Sequence, residues 1–564
     1  MSTTSLAPGP TGPTGPTAPS RRMRTSQLTG TGRLLWLALR RDRVLLPIWI
    51  VVLLGLLAGT VASIVGLYAT EADRVQYAVV AATNVVARAF DGPMSGTSLG
   101  AITMTEVFGI LALLTGIMSV QAIVRHTRLE EETGRAELIG SAVVGRHAPL
   151  VAALVVVGLA NLVLGIAATL VLMAWGLPTL GSVLAGAAIA GVGLTFAGVA
   201  AVAAQLSETA RGANGIGIVT VAAAFLLRAI GDATGSLAPS GVEVISAWPS
   251  WLSPIGWGQQ VRAFGDDRAA ILLLFVAATL LLVVVAFVLT GHRDVGAGMV
   301  AVRPGPATAS PSLLRPSGLV MRLQRGALIG WTVGLAVMGA AMGGISHEVE
   351  ALLETSEELA ALIGEMGGGD VLVDLYIAFA LAFLAYAAGA YLIQALLRAR
   401  AEEFAGRAEP LLATAVSRTR LLGAHVTPAV GGAVLILVVI GLSAGVTAAL
   451  VTGAWGGVGG WVLASAVQIP AVLVLGGVAV VAIGWLPRFA VPIAWATLVA
   501  SLVIGQFGGL FDLPQAAMNI SPFTHVPPVP AEEARLLPLA VLLGVAVVLH
   551  LVGFLGWRRR DVTC

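Results

Sequence analysis

Residues 128–137 read RLEEETGRAE, and residues 400–409 read RAEEFAGRAE. Arg, Glu, Glu, Gly, Arg, Ala and Glu recur in register, 272 positions apart. The register holds outward on both sides. Arg146 and Arg418 keep the same offset, while Arg33, Arg40, Arg43 and Trp49 recur 282 positions later as Arg315, Arg322, Arg325 and Trp331. Further on, Ser253-Pro254 recurs as Ser521-Pro522 at offset 268, and Arg293-Asp294-Val295 as Arg560-Asp561-Val562 at 267. The offset shrinks steadily, as a tandem duplication with small deletions leaves it. Shared arginine richness explains isolated matches but not G-R-A-E with two upstream glutamates.

What is duplicated follows from composition. Of 564 residues, 57% are hydrophobic and 11% charged, and the mean hydropathy is +0.92. A soluble chain carries about 25% charged residues, so lipid must be the solvent for most of this one. A spanning helix needs about 20 mainly apolar residues, and six such runs precede the midpoint: 45–68, 99–124, 148–176, 180–204, 214–235 and 269–291. Six follow it: 326–346, 371–396, 421–452, 460–485, 489–510 and 537–557. The short gaps after 176 and 452 predict adjacent hairpins. The fold class is thus all-α integral membrane, about 12 transmembrane helices in two six-span units. The units are 29–296 and 312–564, joined by a cytoplasmic linker 297–311 and preceded by a disordered cytoplasmic tail 1–28 rich in Pro, Gly, Thr and Ser. Six spans is an even number, so both units insert the same way, and a substrate path lies at the interface of such parallel repeats.

Arginine placement orients the chain. With the N-terminus inside, 26 arginines lie on the cytoplasmic side, and six lie on the outer side or at outer helix ends: Arg74, Arg88, Arg228, Arg262, Arg268 and Arg535. The segment 346–370 carries only acidic charge and is expected outside. Both termini are then cytoplasmic, in a bacterial inner membrane, with no cleaved signal before the first span. The one cysteine is Cys564, which leaves no internal disulfide.

The sequence contains no lysine. A P-loop needs the lysine of G-x-x-x-x-G-K-[ST] to reach nucleotide phosphates, so this chain cannot hold ATP in that way. No metal-ligand spacing or nucleophile–base pair stands out, and neither an enzyme nor a nucleic-acid binder is expected. The motifs point elsewhere. Arg33, Arg40 and Arg43 fall on one helical stripe, repeated at Arg315, Arg322 and Arg325, as in amphipathic helices that lie in the headgroup layer. Glu131–Arg135 and Glu403–Arg407 are spaced i, i+4 and predict short exposed helices supported by ion pairs. Arg128, Glu130, Glu131, Arg135, Glu137 and Arg146, with Arg400, Glu402, Glu403, Arg407, Glu409 and Arg418, form two charged cytoplasmic loops suited to docking a soluble partner. Glu106 lies within the second span, where a charge costs about 2.5–3.5 kcal/mol and faces a bundle interior or cavity. It is the candidate cavity-lining residue, with a hydrogen-bonded structural role as the alternative. Arg228 and Asp232, at i, i+4 near an outer helix end, are expected as a structural ion pair, and Gln468, Gln506 and His550 as interhelical hydrogen-bonding groups. The outer stretch WPSWLSPIGW (Trp248–Trp257) suits an aromatic belt, its prolines suggesting broken-helix or re-entrant geometry, and NISPFTH (Asn519–His525) is its counterpart.

The amphipathic segments, the E-E-x-x-G-R-x-E loop, the S-P-x-x-W and S-P-F-x-H outer motifs and R-D-V after the sixth span resemble permeases of type-2 ATP-binding-cassette exporters. Within these they resemble the fused actinobacterial permeases for polyketide antibiotics, of the tetronasin-exporter kind. The resemblance covers nearly the whole chain from about residue 30. It implies elbow helices at Arg33–Arg43 and Arg315–Arg325, and coupling helices in the loops Arg128–Arg146 and Arg400–Arg418. It also implies two copies of a separate ATP-binding subunit, which would hold ATP and Mg, and export of hydrophobic drugs. The chain departs from the pattern at Pro410, where the first half has Leu138. A proline inside a helix costs about 3 kcal/mol, so the second loop is expected to be shaped differently. The alternative is a proton-driven twelve-helix antiporter of the major facilitator type. That family's loop reads G-x-x-x-D-[RK]-x-G-[RK]-[RK], which R-L-E-E-E-T-G-R-A-E does not match.

Overall fold

The computed structural model of the chain describes residues 26–294, 296–300, 305–355, 369–508 and 513–560. Residues 1–25 of the expected tail and part of the linker lie outside these ranges, as does most of the acidic segment 346–370. The chain divides into two compact units, Met1–Arg303 and Pro304–Cys564. Among the described residues, eleven helices are long and apolar enough to cross a membrane, and the shorter apolar Ala490–Gln506 makes twelve.

In the first unit an amphipathic helix α1 (Thr31–Asp42) leads into α2 (Leu45–Leu67). Two short helices, α3 (Glu71–Thr83) and α4 (Val85–Phe90), precede the long α5 (Leu99–His126). The loop helices α6 (Arg128–Glu132) and α7 (Arg135–Gly140) follow. Spans α8 (Ala148–Ala174), α9 (Thr179–Leu206) and α10 (Ala210–Ala233) come next. A two-stranded hairpin, β1 (Ser236–Leu237) with β2 (Val244–Ile245), pairs Ser236 with Ile245 and Leu237 with Val244. Then come α11 (Pro254–Gln260) and the last span α12 (Leu272–His292). The core is a leucine, valine and alanine interior in which α5 and α9 are central: 72% and 78% of their apolar windows are buried, against 11% for the sixth span. The expected hairpin α8–α9 is held by a close backbone approach. A Cβ on Gly186 would lie 2.3 Å from the carbonyl oxygen of Gly165, the small-residue contact that lets membrane helices pack.

The second unit begins with α13 (Pro316–Thr355). It continues with α14 (Gly369–Phe404), the loop helix α15 (Ala408–Leu412), α16 (Arg418–Thr452), α17 (Val458–Ala466) and α18 (Ile469–Trp485). It closes with α19 (Ala490–Phe507), α20 (Gln515–Met518) and α21 (Leu536–Arg559). Its second and fourth spans are again inner ones, 67% and 61% buried. The fourth is broken between α17 and α18 because Pro470 has no N–H and its ring crowds the carbonyl of Ala466.

The two amphipathic segments differ. In the first unit the helix breaks at Arg43-Val44, since Pro47 cannot donate to the Arg43 carbonyl and clashes with it. The residue in register in the second unit is Ile329, and α13 runs unbroken from Pro316 through that position. The separate amphipathic helix expected around Arg315–Arg325 is therefore the first part of a continuous span.

Candidate functional site

Both charged loops are built on the same backbone device. Gly134 (φ 72°) and Gly406 (φ 70°), the glycines of the repeat, sit in the left-handed region, which a side chain reaches at about 1–2 kcal/mol. The turn interrupts the helix, so residues spaced i, i+4 across it no longer share a face. The Glu131–Arg135 and Glu403–Arg407 pairs expected from spacing give way to pairs one residue earlier. Arg135 Nη1 lies 3.6 Å from Glu130 Oε1, and Arg407 Nε lies 2.5 Å from Glu402 Oε2. Pro410 does not disrupt the second loop, because it occupies the first turn of α15, where its missing N–H has no intrahelical partner to lose.

Glu131 and Glu403 are taken up elsewhere. Arg293 grips Glu131 with a two-pronged fork, at 2.6 and 2.8 Å, and Arg128 adds a third contact at 2.5 Å. In the second unit Arg560 grips Glu403 at 2.6 and 2.7 Å, and Arg400 lies 3.1 Å away. Bidentate arginine–carboxylate pairs are among the stronger charge-assisted contacts. Each one clamps a loop to the residue that ends the unit's sixth span. Arg128 is itself buried and donates its remaining bonds to the carbonyls of Ala204 and Ala297, at 3.2 and 2.8 Å. Arg146 donates to the carbonyls of Thr290 and Arg293, and Arg418 to that of Arg560. These cations sit at helix C-termini, where they offset the carbonyl ends of the dipole. Glu137 and Glu409 are exposed, each in the first turn of its loop helix.

Around this frame the units differ. Arg33, Arg40 and Arg43 are exposed, as are Arg315, Arg322 and Arg325. Between them Arg41 pairs with Glu130, and buried Asp42 pairs with His126 and, at 2.9 Å, with Arg125. Gln324 stands in the register of Asp42 and donates to the Ala395 carbonyl at 3.1 Å. A cavity of about 520 Å³ opens beside the first loop, walled by Leu34, Arg41, Glu130, Ile139, Arg146 and Arg293. Large apolar side chains on the loops lie open as well: Leu138 is 76% exposed, Val143 70% and Phe404 79%.

At the opposite end of the first unit, Glu106 accepts a hydrogen bond from the Tyr77 hydroxyl. It borders a cavity of about 430 Å³ with Gly59, Ser63 and Tyr68. Burial and the Glu106 carboxylate push the Tyr77 hydroxyl far above its usual pKa. Burial, then Glu106, pushes Asp91 up to about 7, with Arg228 pulling the other way. Arg228 and Asp232 are fully buried 3.6 Å apart. Arg228 also donates to the Phe90 carbonyl at 3.0 Å and lies 4.4 Å over the Phe225 ring. Trp248–Trp257 forms a broken helix in which the Ser253 hydroxyl accepts from the backbone amides of Ile255 and Gly256. Gly258 packs so tightly on Phe108 of α5 that a Cβ would fall 2.1 Å from the ring. The segment therefore folds back among the spans, with Trp248 and Trp251 exposed, at 73% and 41%, and Trp257 half-buried. In the second unit Pro522 and Phe523 are buried, and Phe523 stacks on Tyr386 at 3.9 Å. Ala378 occupies the register of Glu106 and lines a cavity of about 520 Å³ with Gln468 and Gln506. His550 bonds within its own helix, to the Ala546 carbonyl. Among the described residues no group of acidic, His or Cys side chains is gathered for a metal.

Sequence reasoning used Arg293 and Arg560 only as repeat markers and missed Tyr77 and Asp91. The signal for the first pair was present, since both arginines recur in register with the glutamates they hold.

Over 544 residues, 96% of this chain and 97% of the other, the sequence is 40% identical to the multidrug efflux system permease protein Rv1217c of Mycobacterium tuberculosis (strain ATCC 25618 / H37Rv). The chain belongs to the family of Rv1217c-type multidrug efflux permeases. The family's C-terminal domain, described as that of the multidrug efflux system permease Rv1217c, matches residues 313–558. As an efflux permease the chain is a multi-pass membrane transporter subunit, and the match gives no support to the major facilitator alternative.

Proposed function

We propose that this efflux permease is the transmembrane subunit of an ATP-driven exporter of hydrophobic drugs, polyketide-type antibiotics among them. Two copies of a separate ATP-binding-cassette subunit dock on its two charged loops. ATP and Mg are held by those subunits, since the chain has no lysine for a P-loop. The observation that carries the reading is the twofold clamp. Each loop is fixed by Glu131–Arg293 or Glu403–Arg560 to the end of a sixth span. A push delivered to either loop thus reaches a membrane helix without passing through flexible chain. Leu138, Val143 and Phe404 offer apolar contact beside charge, which suits a soluble partner. The loops face the cytoplasm, with both termini inside, in the bacterial inner membrane.

The test is co-expression with the cognate ATP-binding subunit, followed by purification and measurement of drug-stimulated ATP hydrolysis. Glu137→Arg combined with Glu409→Arg should abolish co-purification and stimulated hydrolysis while the chain still inserts. Intact assembly of that variant would remove the loops as the docking site. Efflux that needs a proton gradient and no ATPase would overturn the reading as a whole.

A further inference from the structure

We propose that the groove holding Glu106 is a binding site for lipophilic monocations. This deepens the exporter reading by naming a substrate class.

Glu106 lies seven residues into α5, roughly 10 Å from its Leu99 end. Among the described residues it has no arginine partner, and its one direct hydrogen bond comes from the neutral Tyr77 hydroxyl. Arg228, a buried cation of the same end, is engaged by Asp232 and the Phe90 carbonyl. Asp91, the other carboxyl close by, supplies no positive charge. An in-span carboxylate with no countercharge among the described residues is set up to receive one from a ligand.

The surroundings specify the rest of the ligand. The Tyr68 ring, which lines the cavity, lies 4.7 Å from that of Tyr77, and aromatic faces attract cations. Leu56, Ile64 and Leu67 supply apolar wall, and the volume of about 430 Å³ suits a drug-sized molecule. A Cβ added at Gly55 or Gly59 would meet nothing within 4 Å, so the groove is open space beside both glycines. The sister repeat argues against a purely structural glutamate, because α14 forms the same span with Ala378 in that register. A neutral drug would leave the carboxylate uncompensated, and an anion would be repelled.

The experiment measures saturable binding of radiolabelled tetraphenylphosphonium to the full-length chain in phosphatidylcholine nanodiscs. Tetraphenylborate, similar in size and shape with opposite charge, is the competitor. Glu106→Gln should raise the Kd about tenfold or more, Glu106→Asp should retain binding, and tetraphenylborate should not displace the cation. Gly59→Trp should block the site while leaving the carboxylate and the fold in place. Wild-type affinity in Glu106→Gln or Gly59→Trp, or equal displacement by tetraphenylborate, would overturn the proposal. The assay needs no ATPase, so loss of the ATP-driven reading would leave this result standing or falling separately.

Discussion

Replacing Arg560 with alanine removes both prongs of the fork that holds Glu403, a carboxylate with 0% side-chain exposure. Only Arg400, 3.1 Å away, would then face the buried charge. Deleting one member of a buried ion pair costs about 3–5 kcal/mol, and the retained Arg400 places the expected loss near the lower end, about 3 kcal/mol. The change also takes a cation from above the Trp557 ring, 4.5 Å away, whose indole N–H donates to the Arg418 carbonyl. The loop should therefore open more easily between residues 401 and 417. A drop of that size in local opening free energy speeds amide exchange roughly 100-fold. Hydrogen-exchange mass spectrometry reads it directly, with peptides from residues 128–147 as an internal reference. Arg293→Ala should do less in the first loop, because Glu131 keeps Arg128 at 2.5 Å and is 14% exposed. Removing Glu403 and Arg560 together should restore part of the protection, since no uncompensated charge stays buried. Exchange in Arg560→Ala within about threefold of wild type would refute the clamp, as would a larger effect from Arg293→Ala.

Two further outcomes follow from the described geometry. Gly406→Ala should cost about 1–2 kcal/mol through backbone strain alone, because a Cβ there meets nothing within 4 Å at φ 70°. Gly134→Ala should match it, and thermal unfolding of the two variants would check the equality. Asp91, with its folded pKa raised to about 7, favours the protonated fold. Its contribution is complete below the unfolded value and is lost as pH climbs through about 7. Asp91→Asn should accordingly stabilise the chain at about pH 8 and leave it nearly unchanged at about pH 4, a contrast that melting curves at both values resolve. An equal gap at the two values would sink the assignment.

How much was legible depended on how far apart the interacting residues lie. Leu45–Leu67 and the other spans announce themselves by composition, since lipid imposes one long apolar helix per crossing. The repeat told which residues correspond, Glu131 with Glu403 and Arg293 with Arg560. It could not tell that they touch, because the partners are 162 and 157 positions apart and no local periodicity links them. The i, i+4 reading of Glu131–Arg135 failed for a local reason, the left-handed Gly134 that turns the chain between them. Pro410 was judged by its presence in a helix, when its position in the first turn decides its effect. Glu106 was visible as a charge in an apolar run, but the tyrosines beside it come from other elements and were not.

The unbroken α13 has a mechanical consequence. Its 40 residues span about 60 Å at 1.5 Å per residue, twice the roughly 30 Å thickness of a bilayer core. The same segment in the first unit is jointed at Arg43-Val44. A tilt imposed on Pro316–Arg325 is carried by one continuous hydrogen-bond ladder to the far face, as by a lever. In the first unit that ladder is interrupted between Thr31–Asp42 and Leu45–Leu67. One residue, Pro47 against Ile329, thus separates a jointed segment in one repeat from a continuous rod in its twin.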